Sequence, residues 1–209
     1  AIGHDTLRLS TTGSENVALG AFALQSNTTG STNVALGDEA LNGNTTSANN
    51  VAVGSQALKA NTGAENIAIG RKAATANTSG IRNLPIGFEA YQNSDTENDN
   101  VAIGYQCGLY VGNSGTNSAT NNVLIGYECA RATSTGKFVG DNNTYIGYQC
   151  ALVNTSGSEN VAIGTQCLAS NTSGSNNTVV GYQSMYNTTT AQNNVAIGYK
   201  CLYTQTVGY

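Results

Sequence analysis

Asn16-Val17-Ala18-Leu19-Gly20 decides the fold, because the rest of the chain is this pentad written again. It returns as Asn33-Val34-Ala35-Leu36-Gly37, Asn50-Val51-Ala52-Val53-Gly54 and Asn66-Ile67-Ala68-Ile69-Gly70. Variants follow at Asn83-Leu84-Pro85-Ile86-Gly87, Asn122-Val123-Leu124-Ile125-Gly126, Asn143-Thr144-Tyr145-Ile146-Gly147 and Asn177-Thr178-Val179-Val180-Gly181. Asn100-Val101-Ala102-Ile103-Gly104, Asn160-Val161-Ala162-Ile163-Gly164 and Asn194-Val195-Ala196-Ile197-Gly198 repeat the parent form. The step is 17 residues almost throughout, once 16, and longer before Val123 (22) and Thr144 (21). A period this regular signals stacked copies of one small unit, each burying the next.

Each unit continues in the same way. After the pentad comes a step ending in Ala or Cys, then an apolar residue such as Leu24, Leu41 or Leu58. A turn built on Asn27, Asn44, Asn61, Asn77, Asn154, Asn171 or Asn187 closes the unit, with Gly close behind. Asn and Gly supply the corners that tight turns need. Apolar residues sit two apart and Gly interrupts every unit, so helices are not expected. The pattern predicts an all-β parallel solenoid of about twelve coils, each with two short strands and two corners, roughly 55–60 Å long. Residues 1–209 read as one repeat domain. The long units 108–121 and 130–142 read as loops bulging from a corner. Ala1-Ile2-Gly3 is the tail of a further pentad, as expected of a piece of a longer chain.

Composition excludes several functions. Charged residues are 10% of the chain and the net charge is −4, so no basic footprint for nucleic acid exists. No run is long and apolar enough to cross a bilayer. His4 is the sole histidine, and Glu15, Glu65 and Glu159 share a phase in units that are not adjacent. No calcium-binding repeat, phosphate loop or nucleophile elbow occurs. The expectation is no catalytic residue, no cofactor and no metal, hence no enzyme.

Three rows of equivalent residues remain to be placed. In a strand, Val17 and Leu19 face one way and Ala18 the other. The Val/Ile side is expected to fill the coil. The small side, Ala18, Ala35, Ala52, Ala68, Ala102, Ala162 and Ala196, is then expected to line a contact between subunits, since a wet face would carry Thr or Lys. An aromatic row starts at Phe88 and runs through Tyr105, Tyr127, Tyr148, Tyr182 and Tyr199, broken at Thr165. It is either stacking that covers the sheet or a row on which host sugars pack. The five cysteines, Cys107, Cys129, Cys150, Cys167 and Cys201, fall on one phase. Buried thiol filler is the expectation, with disulfides as the alternative. The Asn-x-Thr/Ser triplets read as turn chemistry, and as glycan acceptors only in a secretory host.

Asn-Val-Ala-Ile-Gly resembles the head repeats of trimeric autotransporter adhesins. The longer run Asn194-Val195-Ala196-Ile197-Gly198-Tyr199-Lys200-Cys201-Leu202-Tyr203 is similar to repeat arrays of phage and bacterial tail-fibre-like proteins. Gly147-Tyr148-Gln149-Cys150-Ala151-Leu152 follows the same grammar. The resemblance implies a left-handed roll, a homotrimer and a place on a virion tail fibre or cell surface. It further implies a shaft that presents or contributes to attachment to a host glycan. A monomeric ice-binding solenoid and a bacterial surface adhesin are the competing readings.

Overall fold

Every Asn-x-x-x-Gly pentad becomes one rung of a single parallel sheet. In the computed structural model, which describes residues 1–112 and 119–204, the rungs are three residues long. They are β1 (Val17–Leu19), β2 (Val34–Leu36), β3 (Val51–Val53), β4 (Ile67–Ile69), β5 (Leu84–Ile86) and β6 (Val101–Ile103). The others are β7 (Val123–Ile125), β8 (Thr144–Ile146), β9 (Val161–Ile163), β10 (Thr178–Val180) and β11 (Val195–Ile197). They pair strictly in chain order, β1 to β11, and each residue sits on its equivalent: Val17 on Val34, Ala18 on Ala35, Leu19 on Leu36. Ile2 bridges to Leu19, so the first unit joins the stack. The 16-residue step and the two long steps do not disturb this register. No helix occurs among the described residues. The solenoid therefore stands as expected, with eleven strands in its sheet.

The far side of the coil is not a second strand, contrary to the expected two strands per coil. It is a chain of turns. Ala23 N–H donates to Gly20 O, Gln25 N–H to Phe22 O, and Asn27 N–H to Leu24 O. The third residue of the first two turns has positive φ: Phe22 (58°) and Leu24 (49°), then Glu39 and Leu41, Gln56 and Leu58 in the following coils. Side chains other than Gly pay about 1 kcal/mol or more for that conformation. The return is geometric. Two consecutive side chains, Ala23 and Leu24, both point inward, which an extended strand forbids. The N–H of Phe22 reaches back to His4 O while that of Leu24 reaches forward to Ala40 O, so the turns still zip coil to coil. The strand-closing glycines are more constrained. Gly104 has φ of 139°, and a Cβ there would lie 2.2 Å from Gly126 O in the next rung.

The strand faces are inverted relative to the sequence-based expectation. The row expected at a subunit contact, Ala18, Ala35, Ala52, Ala68, Ala102, Ala162 and Ala196, is buried inside its own coil, none of it more than 3% exposed. The Val/Ile/Leu side faces outward, with Val17 54%, Ile67 40% and Ile163 39% exposed. The reason is the width of the coil. The middle strand residue looks across at the Ala/Cys row and the Leu row, and no room remains for two further branched side chains. Volumes exchange within the coil accordingly. Ala18, Ala35, Ala52 and Ala162 go with Leu24, Leu41, Leu58 and Leu168, whereas Leu124 and Tyr145 go with Ala130 and Ala151. Where Tyr91 leans in, the next coil carries Gly108, whose Cβ would meet Tyr91, Leu124 and Val111 at 3.1–3.2 Å.

At the first long unit, Val111 bridges to Phe138 of the second. Both are buried, with Phe138 packed 6.2 Å from the Tyr145 ring. The second long unit is thus partly drawn into the core, not wholly bulged out; residues 113–118 of the first lie outside the described residues.

The inversion is testable on adjacent residues. Ala162→Glu places a carboxylate in a closed apolar coil, a change that costs about 3 kcal/mol or more; circular dichroism should show loss of the β signal or a sharply lower melting temperature. Val161→Glu, one residue away and outward, should keep the β signal.

Candidate functional site

The coil interior is held by asparagine. Along the start of every rung, the backbone N–H of one Asn donates to the side-chain oxygen of the Asn below. Asn33 reaches Asn16 Oδ1 at 2.9 Å, Asn100 reaches Asn83 at 3.1 Å, and Asn194 reaches Asn177 at 3.1 Å, with no break between. From Asn16 to Asn177, each side-chain Nδ2 also donates to a corner carbonyl of the next coil, as Asn16 does to Gly30 O (2.8 Å) and Asn160 to Gly174 O (2.9 Å). A strut of this kind satisfies backbone groups that the narrow core would otherwise strand.

The turn asparagines form a second row. Asn44 Nδ2 donates to Asn27 Oδ1 at 3.1 Å and Asn77 to Asn61 at 2.6 Å, while each also bonds a carbonyl two or three residues on in its own turn. Asn27, Asn44, Asn77, Asn154 and Asn171 are buried, so these triplets present no free amide to a glycosylating enzyme; Asn187 alone of the set is exposed.

This second row is interrupted between Asn44 and Asn61 and ends at Asn77, where the next coil carries Ser94; Asn44 Oδ1 and Asn77 Oδ1 have no partner among the described residues. There the fill changes to Tyr91, Glu97, Val111 and Phe138. Glu97 occupies the phase of Gly80 and folds its carboxylate onto the N–H groups of Asp95 (2.7 Å) and Thr96 (3.1 Å). Burial raises its pKa against those two hydrogen bonds. The row resumes through Tyr145, whose hydroxyl donates to Asn143 Oδ1 (2.9 Å) and accepts from Asn154 (2.7 Å) and Asn160 (3.3 Å). Sequence reading placed all these asparagines at strand starts and turns and missed that they are buried.

Outside, the aromatic row is continuous where expected. Phe88, Tyr105, Tyr127 and Tyr148 stack with centroids 5.1–5.4 Å apart and planes within 9°. Tyr182 and Tyr199 stack beyond Thr165. The Arg71 guanidinium lies 5.3 Å from the Phe88 centroid and closes that end. A parallel pair, Tyr186 and Tyr203, stacks four residues further along the coil. Tyr148 and Tyr182, on either side of Thr165, are 47% and 44% exposed, close to Tyr127 (44%), which is stacked on both faces, whereas Tyr199 is 72% exposed. Within the stack, Tyr105 and Tyr127 therefore offer only ring edges and hydroxyls, their faces being covered. Beside it runs a column of amides and carboxylates, with Gln106 donating to Glu89 (2.8 Å), Gln149 to Glu128 (2.9 Å), Gln166 to Gln149 (3.1 Å) and Gln183 to Gln166 (2.8 Å).

The turn threonines are also spent along the stack. Thr28 Oγ1 donates to Thr45 O at 3.0 Å, Thr78 to Asp95 O at 3.0 Å and Thr172 to Thr189 O at 3.1 Å. His4 packs edge-on to Phe22 near the chain start, and Glu15, Glu65 and Glu159 are exposed on separate coils. Among the described residues no three His, Cys, Asp or Glu side chains converge as a metal cage. The cysteines are free thiols, and Cys107, Cys129, Cys150 and Cys167 are fully buried on successive rungs. Comparison with family models, curated proteins and solved structures gives no match.

Two outcomes test this interior. Asn143→Ala removes the acceptor of the Tyr145 O–H and of the Asn160 N–H, and one of the two donors to Gly157 O. It should destabilise the chain by about 2–4 kcal/mol in denaturant titration, since each unmet buried group costs about 1–3 kcal/mol. Asn16→Ala, at the half-exposed first coil, should cost much less. Glu97 contributes in the opposite sense. Its raised folded pKa means that its favourable share is complete below the ordinary carboxyl range and is lost as pH rises through the folded value. Glu97→Gln should therefore raise the melting temperature at pH 7, and the gain should vanish as the pH falls into the acid range.

Proposed function

We propose that this chain is a shaft segment of a homotrimeric fibre of the phage tail-fibre-like or surface-adhesin kind, working outside the cell or on a virion. The observation that carries the reading is the outward row of Val, Leu and Ile on a flat parallel sheet, repeated on all but two of the rungs with both flanking positions aliphatic. Parallel sheets are ordinarily covered on both faces. Eleven rungs at about 4.8 Å and three residues at about 3.3 Å give a face of roughly 50 by 10 Å. The adjoining tyrosine column widens it toward the roughly 800 Å² that each partner buries in a stable contact. Three such narrow faces turned toward a common axis fill one another's apolar surface, and the tyrosine edges then lie along the seam. The polar row that begins with Glu15, Thr32 and Asn49 flanks the other side.

Catalysis has no part in this reading. The function is mechanical: a stiff spacer, hydrogen-bonded rung by rung, that holds a distal element at a fixed distance. A host glycan would meet the tyrosine row only along the outer side of the seam, through hydroxyls and ring edges where the rings are stacked on both faces.

Sedimentation equilibrium of the purified chain should give three times the 21.4 kDa of one chain. Val101→Glu with Ile103→Glu should reduce it to the single-chain mass while the β signal in circular dichroism persists. A wild-type chain that sediments as a monomer at micromolar concentration would overturn the proposal.

A further inference from the structure

The thiols of Cys107, Cys129, Cys150 and Cys167 stand on four consecutive rungs in one phase, in the core. Each donates to the middle-strand carbonyl of a rung: Cys107 to Leu124 O (3.2 Å), Cys129 to Tyr145 O (3.3 Å), Cys150 to Ala162 O (3.2 Å) and Cys167 to Val179 O (3.5 Å). These contacts aim every sulfur the same way along the stack. In-phase side chains on neighbouring parallel strands are about 4.8 Å apart. A disulfide requires Cβ atoms about 3.8 Å apart and a twisted dihedral, so the rung spacing works against one. The same spacing suits a different bond. Two thiolate–metal bonds of about 2.3 Å in line span about 4.6 Å.

We infer that the cysteine ladder is a site for soft, thiophilic d10 cations, held in linear two-coordinate fashion between the sulfurs of adjacent rungs, Cys107 with Cys129 and Cys150 with Cys167. Thiolate ligands select such ions over harder ones. For a divalent ion the balance is two thiols plus one cation giving one neutral S–metal–S unit and two released protons. Neutrality matters in this core, because an uncompensated charge there is costly. Burial pushes the Cys107, Cys150 and Cys167 thiols up, Cys167 to about 12. Cys201, two rungs beyond Cys167 with Ser184 between, is half-buried and outside the set.

Mercuric chloride is the probe, and all proteins carry Cys201→Ser. The reduced chain is loaded both as folded protein and during refolding, in the presence of excess small monothiol, and then desalted. Two ions should remain per chain, with two sulfur neighbours at about 2.3 Å in the metal absorption edge. Cys129→Ala should retain one ion. Cys129→Ala with Cys150→Ala should retain at least tenfold less than the parent, although two buried thiols remain, because Cys107 and Cys167 are then three rungs apart. Alanine is tolerated at this phase, since Ala23, Ala40, Ala57, Ala73 and Ala90 already occupy it; circular dichroism checks each variant. No retention by the parent under either loading, or equal retention by the double variant, would overturn the inference.

Discussion

Strict vertical register is the constraint on which the molecule depends. Once Val17 sits on Val34 and Ala18 on Ala35, every residue must live about 4.8 Å from a copy of itself or its substitute. Only groups that tolerate their own kind at that distance can form a row. Asparagine does so by handing its oxygen to the next amide, threonine by donating to the next carbonyl, and tyrosine by parallel stacking. Charge does not tolerate it, and the charged rows show the remedy: Arg82 is set over Asp99 with bonds of 2.6 and 2.8 Å, and Lys72 faces Glu89 at 4.0 Å. With 10% charged residues, the composition is what such a rule permits.

The interior is correspondingly thin and unusually polar. A coil that buries one middle-strand residue, one Ala or Cys, one Leu and two Asn has little apolar volume, so its stability rests on backbone bonding closed by side-chain amides. Where the second amide row lapses, between Ser94 and Phe138, the chain substitutes bulk: Tyr91, Val111, Leu124, Phe138 and Tyr145 are all buried there. Tyr145 joins the two regimes, since its ring belongs to the apolar fill and its hydroxyl to the amide network. The two long units are found at the same place, and Val111 and Phe138, one from each, pair with one another.

Much of this was legible from the repeat. The period yields one rung per pentad, and the aromatic and cysteine phases correctly anticipate rows. The strand face was misread because the larger side chain was assumed to be the inner one. A correcting signal is in the sequence: Leu124 and Tyr145 coincide with Ala130 and Ala151, the volume exchange expected of two positions that share one interior. The recurrent Asn opening each pentad was read as the start of the strand, and its burial was not anticipated. What the period could not reveal is the left-handed backbone at Phe22, Leu24 and their equivalents. Local preference argues against it at Phe, Leu and Gln, and only the bonds to the coils above and below favour it.

The asparagine row also has a direction. Each amide oxygen waits for the N–H of the residue 16 to 22 places later, never the reverse. A completed coil is therefore a mould for its successor, with acceptors already aimed. Closure needs only a short loop of chain at every step, so ordering can advance as a zipper from the N-terminal side, in the order in which a ribosome delivers the chain.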